Sequence, residues 1–247
     1  MEPIAVITGA DRGLGFALCE ALLQRGWRVF AGQYMPNWPQ LSLLSERYPE
    51  KLHVIPLDVS SDESVKSAAM QVSSIADHVD ILINNAGIIS RYNELNIREQ
   101  LNYEDMHRMF DVNALGPIRM VEAFLPLMDK GRLKRFCFVS SEAGSIGACT
   151  RNAWYGYCMS KAALNMAVKI TFNKLRPEGY TFRLYHPGWM RTYMSGEKNY
   201  QADLEPEEAA VYALQYFLSG TPYAEKDICV DEDDLVLVDY KLNKWPW

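Results

Sequence analysis

Tyr157 and Lys161 form the most suggestive chemical pattern in the chain. They are four residues apart, so on a helix both side chains project from the same face. A free phenol has a pKa of about 10 and exchanges protons poorly near neutral pH. Because an adjacent ammonium favours the phenolate, the spacing predicts that Lys161 lowers the pKa of Tyr157 toward the range of a general acid–base catalyst. Taken alone, the same pair could be an ordinary surface contact.

A glycine-rich turn forms the second candidate feature. Gly9, Gly13 and Gly15 are spaced G-x-x-x-G-x-G between an apolar run and a helical pattern. Glycines let the backbone approach a ligand closely, and the helix N-terminus behind them favours a phosphate. The spacing matches neither G-x-G-x-x-G nor a Walker A loop, so an ordinary glycine turn remains an alternative.

Short apolar runs must hold these residues in place. They are nearly continuous in apolar residues, which is typical of parallel strands that are covered on both faces. The predicted strands are Ile4–Thr8, Trp27–Ala31, Leu52–Leu57, Ile81–Asn84, Phe136–Ser140 and Phe182–His186, with Ile228–Val230 as a weaker seventh.

Amphipathic stretches separate these strands and predict helices. The pattern Tyr103–Met128 is interrupted by Pro117, which predicts a kink or a break. The regular β-α alternation predicts an α/β fold: a Rossmann-type doubly wound parallel sheet with helices on both faces. We expect a single domain over residues 1–247. The remaining helical patterns begin at Leu14 and Asp62 and cover Tyr157–Leu175 and Glu205–Leu218.

Composition excludes several other classes of protein. The 247 residues are 49% hydrophobic, which argues against a disordered chain, and the net charge of -6 argues against binding to nucleic acid or anionic membranes. The five cysteines are scattered without a C-x-x-C pair, so we expect reduced thiols in a cytoplasmic protein. No apolar run is long enough to span a bilayer, and no metal-ligand spacing occurs, so we expect no metal.

Three motifs together resemble those of a known family. Thr8–Gly15, Asn84–Gly87 and Tyr157–Lys161 are similar to the TGxxxGxG, NNAG and YxxxK motifs of the short-chain dehydrogenase/reductases (SDR), in the same order. Asn113, Ser141 and the run from His186 to Gly188 also match, so the resemblance covers nearly the whole chain. A loop over residues 147–154 and a Pro-Gly-Trp-x-x-Thr segment favour the carbonyl-reductase-like subgroup.

The resemblance implies catalytic roles for four residues. Tyr157 would donate a proton to a carbonyl oxygen or accept it in reverse, and Lys161 would lower its pKa and bind the nicotinamide ribose. Ser141, the second serine of its pair, would hold the substrate oxygen. Asn113 would anchor a water that connects Lys161 to solvent. Tyr155 has no lysine partner and is interpreted as a pocket wall.

The expected cofactor is NADP, with NAD possible. The second predicted strand ends at residues 31–34 without the carboxylate that normally binds the ribose of NAD, and Arg12 resembles the basic residue of NADP users. An arginine directly after that strand is also absent, which keeps NAD open. The expected cofactor-binding residues are Gly9, Arg12, Gly13, Leu14, Gly15, Asp58, Val59, Asn84, Ala86, Gly87, Tyr157, Lys161, Pro187 and Thr192.

The sequence therefore predicts an NAD(P)-dependent oxidoreductase that interconverts a small carbonyl compound and an alcohol. A cofactor-binding sensor or signalling protein that lost turnover is the alternative, and a non-redox lyase or isomerase is a third possibility. We expect a substrate loop at about residues 188–203 and a homodimer or homotetramer. Aromatic and Met residues could bury an apolar substrate or pack on each other, namely Trp154, Tyr155, Trp189, Met190, Tyr193 and Met194. No cluster of Arg or Lys near them suggests a phosphorylated or CoA-linked substrate.

Overall fold

Eight strands form one sheet in the computed structural model, which describes residues 2–226 and 228–247. The strand order is β3-β2-β1-β4-β5-β6-β7-β8, and every pair is parallel except the last. The chain thus starts in the middle of the sheet and winds outward in both directions. This arrangement confirms the predicted doubly wound α/β fold. The strands are β1 Ile4–Ile7, β2 Arg28–Gln33, β3 Leu52–Pro56, β4 Ile81–Asn84, β5 Arg135–Val139, β6 Thr181–His186, β7 Leu237–Asp239 and β8 Lys244–Trp245.

Helices cover both faces of this sheet. They are α1 Gly13–Gln24, α2 Gln40–Arg47, α3 Asp62–Ile75, α4 Tyr103–Phe110, α5 Gly116–Met128, α6 Tyr155–Leu175 and α7 Pro206–Phe217. One core cluster packs α1 and α7 against the sheet, and a second packs α3, α5 and α6 against the other face. Burial on both faces explains why the inner strands are nearly continuous apolar runs.

Two of the predicted elements need correction. The seventh strand is β7, Leu237–Asp239, which pairs with β6; the predicted strand at Ile228–Val230 is wrong, because these residues are irregular. The long pattern Tyr103–Met128 is divided by a π-helical turn, Asp111–Leu115, with Pro117 in the first turn of α5. Helix α2 and strand β8 were not predicted, since each is short and its apolar pattern is weak.

Candidate active site

The glycine loop is held against the loop that follows β4. The Thr8 hydroxyl accepts hydrogen bonds from the backbone N–H groups of Asn85 and Ala86, and the Asn85 side chain donates to the carbonyls of Thr8 and Gly9. Gly9 has a φ of +63°, and a Cβ there would lie 2.9 Å from the Cα of Ala86. Only glycine therefore allows these two loops to approach so closely. Thr8 and Asn85 were missed as site-building residues.

The first turn of α1 offers free backbone N–H groups beside the glycine loop. No side chain caps the helix at Arg12, and α1 begins at Gly13. The N–H groups of the first turn have no partner within the helix, and they carry the positive end of its dipole. The Leu14 side chain is buried in the core, so this residue can contribute only its backbone. Uncapped N–H groups beside glycines fit the pyrophosphate of a dinucleotide.

Arg12 lies between two aromatic side chains. Its guanidinium carbon is 4.9 Å from the ring centroid of Trp38 and 5.9 Å from that of Tyr193. Asp11 is buried and accepts the backbone N–H groups of Tyr34 and Met35, which fixes the loop after β2. The arrangement places a cation where the ribose end of a cofactor could lie, with no carboxylate directly after β2. No sequence motif predicts the contact of Trp38 with Arg12.

Four further residues that are predicted to bind the cofactor differ in which of their atoms are free to contact a ligand. Asp58 accepts both the N–H and the hydroxyl of Ser60, so it stabilises the turn before α3. The Val59 side chain is buried beside Gly116, and only its backbone could contact a ligand. Among the described residues, the amide of Asn84 is buried without a hydrogen-bond partner. Thr192 lies next to Gly13, since a Cβ on Gly13 would be 3.2 Å from the Thr192 methyl carbon.

Two predicted catalytic residues, Asn113 and Lys161, lie beside Gly87. A Cβ on Gly87 would lie 3.4 Å from Asn113 Oδ1 and 3.6 Å from Lys161 Nζ. Lys161 is one helical turn from Tyr157 on α6, and its Nζ lies 5.8 Å from the phenol ring centroid while donating to the carbonyl of Val139 at 2.9 Å. Helix α6 therefore presents Tyr157 and Lys161 on one face, as their spacing predicts.

Asn113 lies in the π-helical turn. Its Oδ1 accepts the N–H of Ile88 at 2.8 Å, and its Nδ2 donates to the Ile88 carbonyl and to Ser160 Oγ. Single π turns are frequent at functional sites because they turn a side chain out of the regular helix. Asn113 thereby connects α6 to the loop after β4, next to Lys161.

Burial dominates the acid–base behaviour of the pair. It raises the pKa of Tyr157 to about 12, although the hydroxyl of Ser141 and the charge of Arg151 act in the opposite direction. Burial also lowers the pKa of Lys161 to about 8. Desolvation of the phenolate thus outweighs the hydrogen bond of Ser141 and the charge of Arg151. That Lys161 lowers the pKa of Tyr157 stays a prediction.

A charged cluster that the motifs did not predict surrounds Ser141. Ser141 Oγ donates to Glu142 Oε2 at 2.6 Å, and the other carboxylate oxygen of Glu142 pairs with Arg151. His186 Nε2 lies 3.7 Å from Glu142 Oε2. Adjacency to Ser141 could have drawn attention to Glu142. The partner Arg151 lies in the loop over residues 147–154, whose path the sequence does not define.

A cavity of about 370 Å³ lies beside this site. Ile88, Ile89 and Met109 line it and also pack around Tyr157. Met194 of the predicted substrate loop closes another side, and its methyl carbon would lie 3.8 Å from a Cβ on Gly87. Tyr155 instead lines a separate, smaller cavity next to Asn93.

Metal sites and membrane-spanning helices were sought among residues 2–226 and 228–247. No group of three His, Cys, Asp or Glu side chains there could hold a metal ion. No helix in the same part of the chain combines the length and the apolar character of a membrane span.

The comparisons with known proteins agree with the fold and the motifs. The family model for short chain dehydrogenases matches residues 3–203, so the chain belongs to the short-chain dehydrogenase/reductase family of oxidoreductases. An uncharacterised oxidoreductase of Schizosaccharomyces pombe is 36% identical over 216 residues, covering 86% of this chain and 83% of that protein. The C-signal of Myxococcus xanthus is 48% identical over 118 residues, which cover 48% of this chain and 69% of that protein.

A solved structure extends the similarity to the whole chain. The NADPH-bound carbonyl reductase from chicken fatty liver superimposes with a TM-score of 0.85 and 26% identity, and the match covers 100% of both chains. The resemblance in shape therefore includes the segments after residue 203.

Proposed function

We propose that the protein is an NADP-dependent oxidoreductase that interconverts a carbonyl compound and an alcohol, with Tyr157 as general acid–base catalyst. The observation that carries the proposal is the placement of a buried phenol beside Ser141, one helical turn from Lys161 and next to a cavity. The NADPH found in the chicken carbonyl reductase supports the choice of cofactor. The bound nicotinamide supplies or accepts the hydride.

The roles proposed for the four catalytic residues are those that the family resemblance implies, and their surroundings support them. Tyr157 gives a proton to the carbonyl oxygen in reduction and takes it back in oxidation. Ser141 holds that oxygen next to the phenol, which requires its hydroxyl to exchange its bond with Glu142 for one with the substrate. Lys161 binds the ribose hydroxyls of the cofactor. Asn113 fixes the loop after β4 through its two hydrogen bonds with Ile88. Exclusion of water from the buried pair strengthens each of these interactions.

The cofactor would lie along the carboxyl edge of the sheet. The uncapped first turn of α1 holds the pyrophosphate, and Arg12 contacts the 2′-phosphate that distinguishes NADP from NAD. The positions proposed to contact the cofactor are Gly9, Arg12, Gly13, Leu14, Gly15, Asp58, Val59, Asn84, Ala86, Gly87, Tyr157, Lys161, Pro187 and Thr192.

A signalling protein that binds the cofactor without turnover is the second candidate. The similarity to the C-signal, named for a signal, is the observation that favours it. The complete set of Asn113, Ser141, Tyr157 and Lys161 favours the enzyme, since cofactor binding alone needs neither Ser141 nor the phenol.

Turnover with purified protein tests the proposal and separates the two candidates. NADPH or NADH is mixed with a panel of aldehydes, ketones and quinones, and nicotinamide absorbance is followed. We expect carbonyl-dependent oxidation of NADPH, and we expect Arg12→Ala to raise the KM for NADPH at least fivefold while that for NADH changes little. Cofactor binding without consumption by any carbonyl would favour the signalling candidate.

The proposed assembly is a homodimer or homotetramer. Ile118 on α5 and Met159, Met166 and Ile170 on α6 are exposed apolar side chains on neighbouring helices. The spacing of Met159, Met166 and Ile170 places these three on one face of α6, and exposed apolar side chains that share a face are typical of an interface.

A further inference from the structure

Two arginines from separate elements lie at the cavity beside Tyr157. Arg91 belongs to the loop after β4 and Arg108 to α4, and both line the cavity of about 370 Å³. They are 17 positions apart in sequence and outside the loops around Trp154 and Trp189, which explains why no basic cluster was expected. Arginine side chains at a cavity are the groups that most often bind carboxylates and phosphates in proteins.

Neither guanidinium is neutralised by the residues that the structure describes. Both arginines are exposed, and neither forms an ion pair with a carboxylate of residues 2–226 or 228–247. The carboxylate among the lining residues, Asp105, accepts a hydrogen bond from Ser90 Oγ at 2.6 Å. The lining therefore has two cations and one anion, on a chain whose net charge is -6.

The Arg91 guanidinium is also held in place. It stacks over the Tyr92 ring at 4.8 Å from the centroid, and its Nη2 donates to the Tyr92 hydroxyl at 2.8 Å. Stacking of this kind fixes the plane of the guanidinium and leaves other N–H groups free to bind. A pre-oriented donor loses less conformational entropy when an anion binds.

The same cavity also has apolar lining residues. Ile88, Ile89 and Met109 line it and belong to the apolar cluster of Tyr157, and Met194 of the substrate loop lines it as well. A ligand with its reacting carbon near Tyr157 thus has apolar side chains available for its body. The two guanidinium groups of the same lining are available for an anionic end.

We propose that the substrate of this site is a carbonyl compound, or the corresponding alcohol, with an apolar body and an anionic group at the end remote from the reacting carbon. This inference rests on the proposed oxidoreductase function and specifies its substrate class. A carboxylate and a phosphate present the same chemistry to Arg91 and Arg108, so the two are distinguished by experiment.

Matched aldehydes test the proposal directly. Benzaldehyde, 4-carboxybenzaldehyde and 4-formylphenyl phosphate are compared as substrates with NADPH at low salt. We expect kcat/KM for at least one anionic aldehyde to exceed that for benzaldehyde by about fivefold or more, and this preference to fall at 0.5 M salt because charges at an exposed cavity are screened. The higher of the two anionic values identifies the group.

Substitutions then assign the preference to the two arginines. In Arg91→Leu/Arg108→Leu we expect the ratio of anionic to neutral kcat/KM to approach one, with the benzaldehyde value and the KM for NADPH unchanged. Arg108→Lys should retain part of the preference. Arg98→Leu is the matched control, because Arg98 is an exposed arginine of the same loop that does not line the cavity.

The outcomes separate this inference from the function on which it rests. An unchanged ratio in the double variant, or a wild-type preference for benzaldehyde, overturns the substrate class while the oxidoreductase function stands. If no aldehyde consumes NADPH, the proposed function fails. Binding is then measured by quenching of tryptophan fluorescence with 4-carboxybenzaldehyde and with benzaldehyde, in the wild type and in the double variant. Tighter binding of 4-carboxybenzaldehyde that is lost in the double variant supports anion binding by the arginines, and equal binding of the two aldehydes overturns it.

Discussion

The phenol of Tyr157 is surrounded by groups that act on it in opposite directions. The Ser141 hydroxyl and the charge of Arg151 lower its pKa, while the carboxylate of Glu142 and the thiolate form of Cys158 raise it. Burial is the largest effect, and it leaves the phenol protonated at neutral pH. A protonated phenol is the form that reduction of a carbonyl requires. In oxidation the same phenol must lose its proton, so that direction should accelerate as the pH rises.

The ion pair between Glu142 and Arg151 gives a signed test of this electrostatic balance. We expect Glu142→Gln to lower the pKa of Tyr157 and Arg151→Met to raise it, each by about 0.5–1 unit, because one variant removes a nearby anion and the other a nearby cation. The apparent pKa of kcat for alcohol oxidation measures the shift. Tyrosinate absorbance, taken as the difference from Tyr157→Phe, measures it without turnover.

The control for this pair is a surface ion pair beyond the other end of α6. Glu178→Gln removes the exposed partner of Lys174 and should leave the apparent pKa of kcat for alcohol oxidation unchanged. Shifts of Glu142→Gln and Arg151→Met in the same direction would contradict the electrostatic account and indicate a structural effect of the loop.

The glycine loop and the loop after β4, which are proposed to contact the cofactor, approach each other closely. Gly9→Ala introduces a Cβ both at positive φ and 2.9 Å from the Cα of Ala86, whereas Gly179→Ala introduces one at a φ of +91° with open space around it. We expect Gly179→Ala to cost about 1 kcal/mol of stability from backbone strain alone. Gly9→Ala should cost more and weaken NADPH binding at least tenfold, because the two loops must separate.

Chemical denaturation and fluorescence titration with NADPH measure the two effects. Equal losses of stability in both variants, together with unchanged NADPH affinity in Gly9→Ala, would show that the approach of the two loops does not shape the cleft.

Prediction from sequence succeeded where a local pattern defines the element. The inner strands are nearly continuous apolar runs, the helix of Tyr157 carries the Tyr157–Lys161 motif, and the glycine loop has a distinctive spacing. It failed for β7, because Ile228–Val230 and Leu235–Val238 are both short apolar runs, and pairing with β6 selects Leu237–Asp239. The contacts of Arg12 with Trp38 and of Glu142 with Arg151 depend on how loops fold over the sheet edge, which no local pattern encodes.

A buried ion pair links the sheet to the acidic run Asp231–Asp234 at the scale of the whole molecule. Glu232 of this run accepts two hydrogen bonds from the fully buried Arg183, at 2.6 and 2.9 Å. The same arginine also donates to Tyr216 and Ser219, next to the end of α7. The network fastens β6 to the C-terminal part of the fold.

Glu232→Gln should destabilise the protein by about 3 kcal/mol at pH 7, because it leaves the charge of Arg183 buried without its counterion. The pair lowers the pKa of Glu232, so its contribution is present above the ordinary value of 4.5 and is lost as the pH falls through the lowered one. The stability difference between wild type and variant should therefore shrink below about pH 4.5. Denaturation in urea at several pH values measures it, and a difference independent of pH would contradict this assignment.

The exposed apolar side chains of α5 and α6 lead to a prediction about assembly. Ile170→Glu should convert the proposed oligomer into monomers, because a carboxylate cannot be buried unpaired in an apolar interface. Met70→Glu is the control, since Met70 is equally exposed but lies on α3. Light scattering after size exclusion measures the mass, and a monomeric wild-type protein would contradict the proposed assembly.

The most direct test of the account is the single-turnover oxidation of NADPH by Tyr157→Phe with an aldehyde that the wild type reduces. Phenylalanine keeps the buried ring and its contacts but cannot donate a proton. We expect the rate to fall at least a thousandfold while the dissociation constant of NADPH stays within about threefold of the wild-type value. A rate within tenfold of wild type, with the cofactor bound normally, would contradict the role of Tyr157 as the acid.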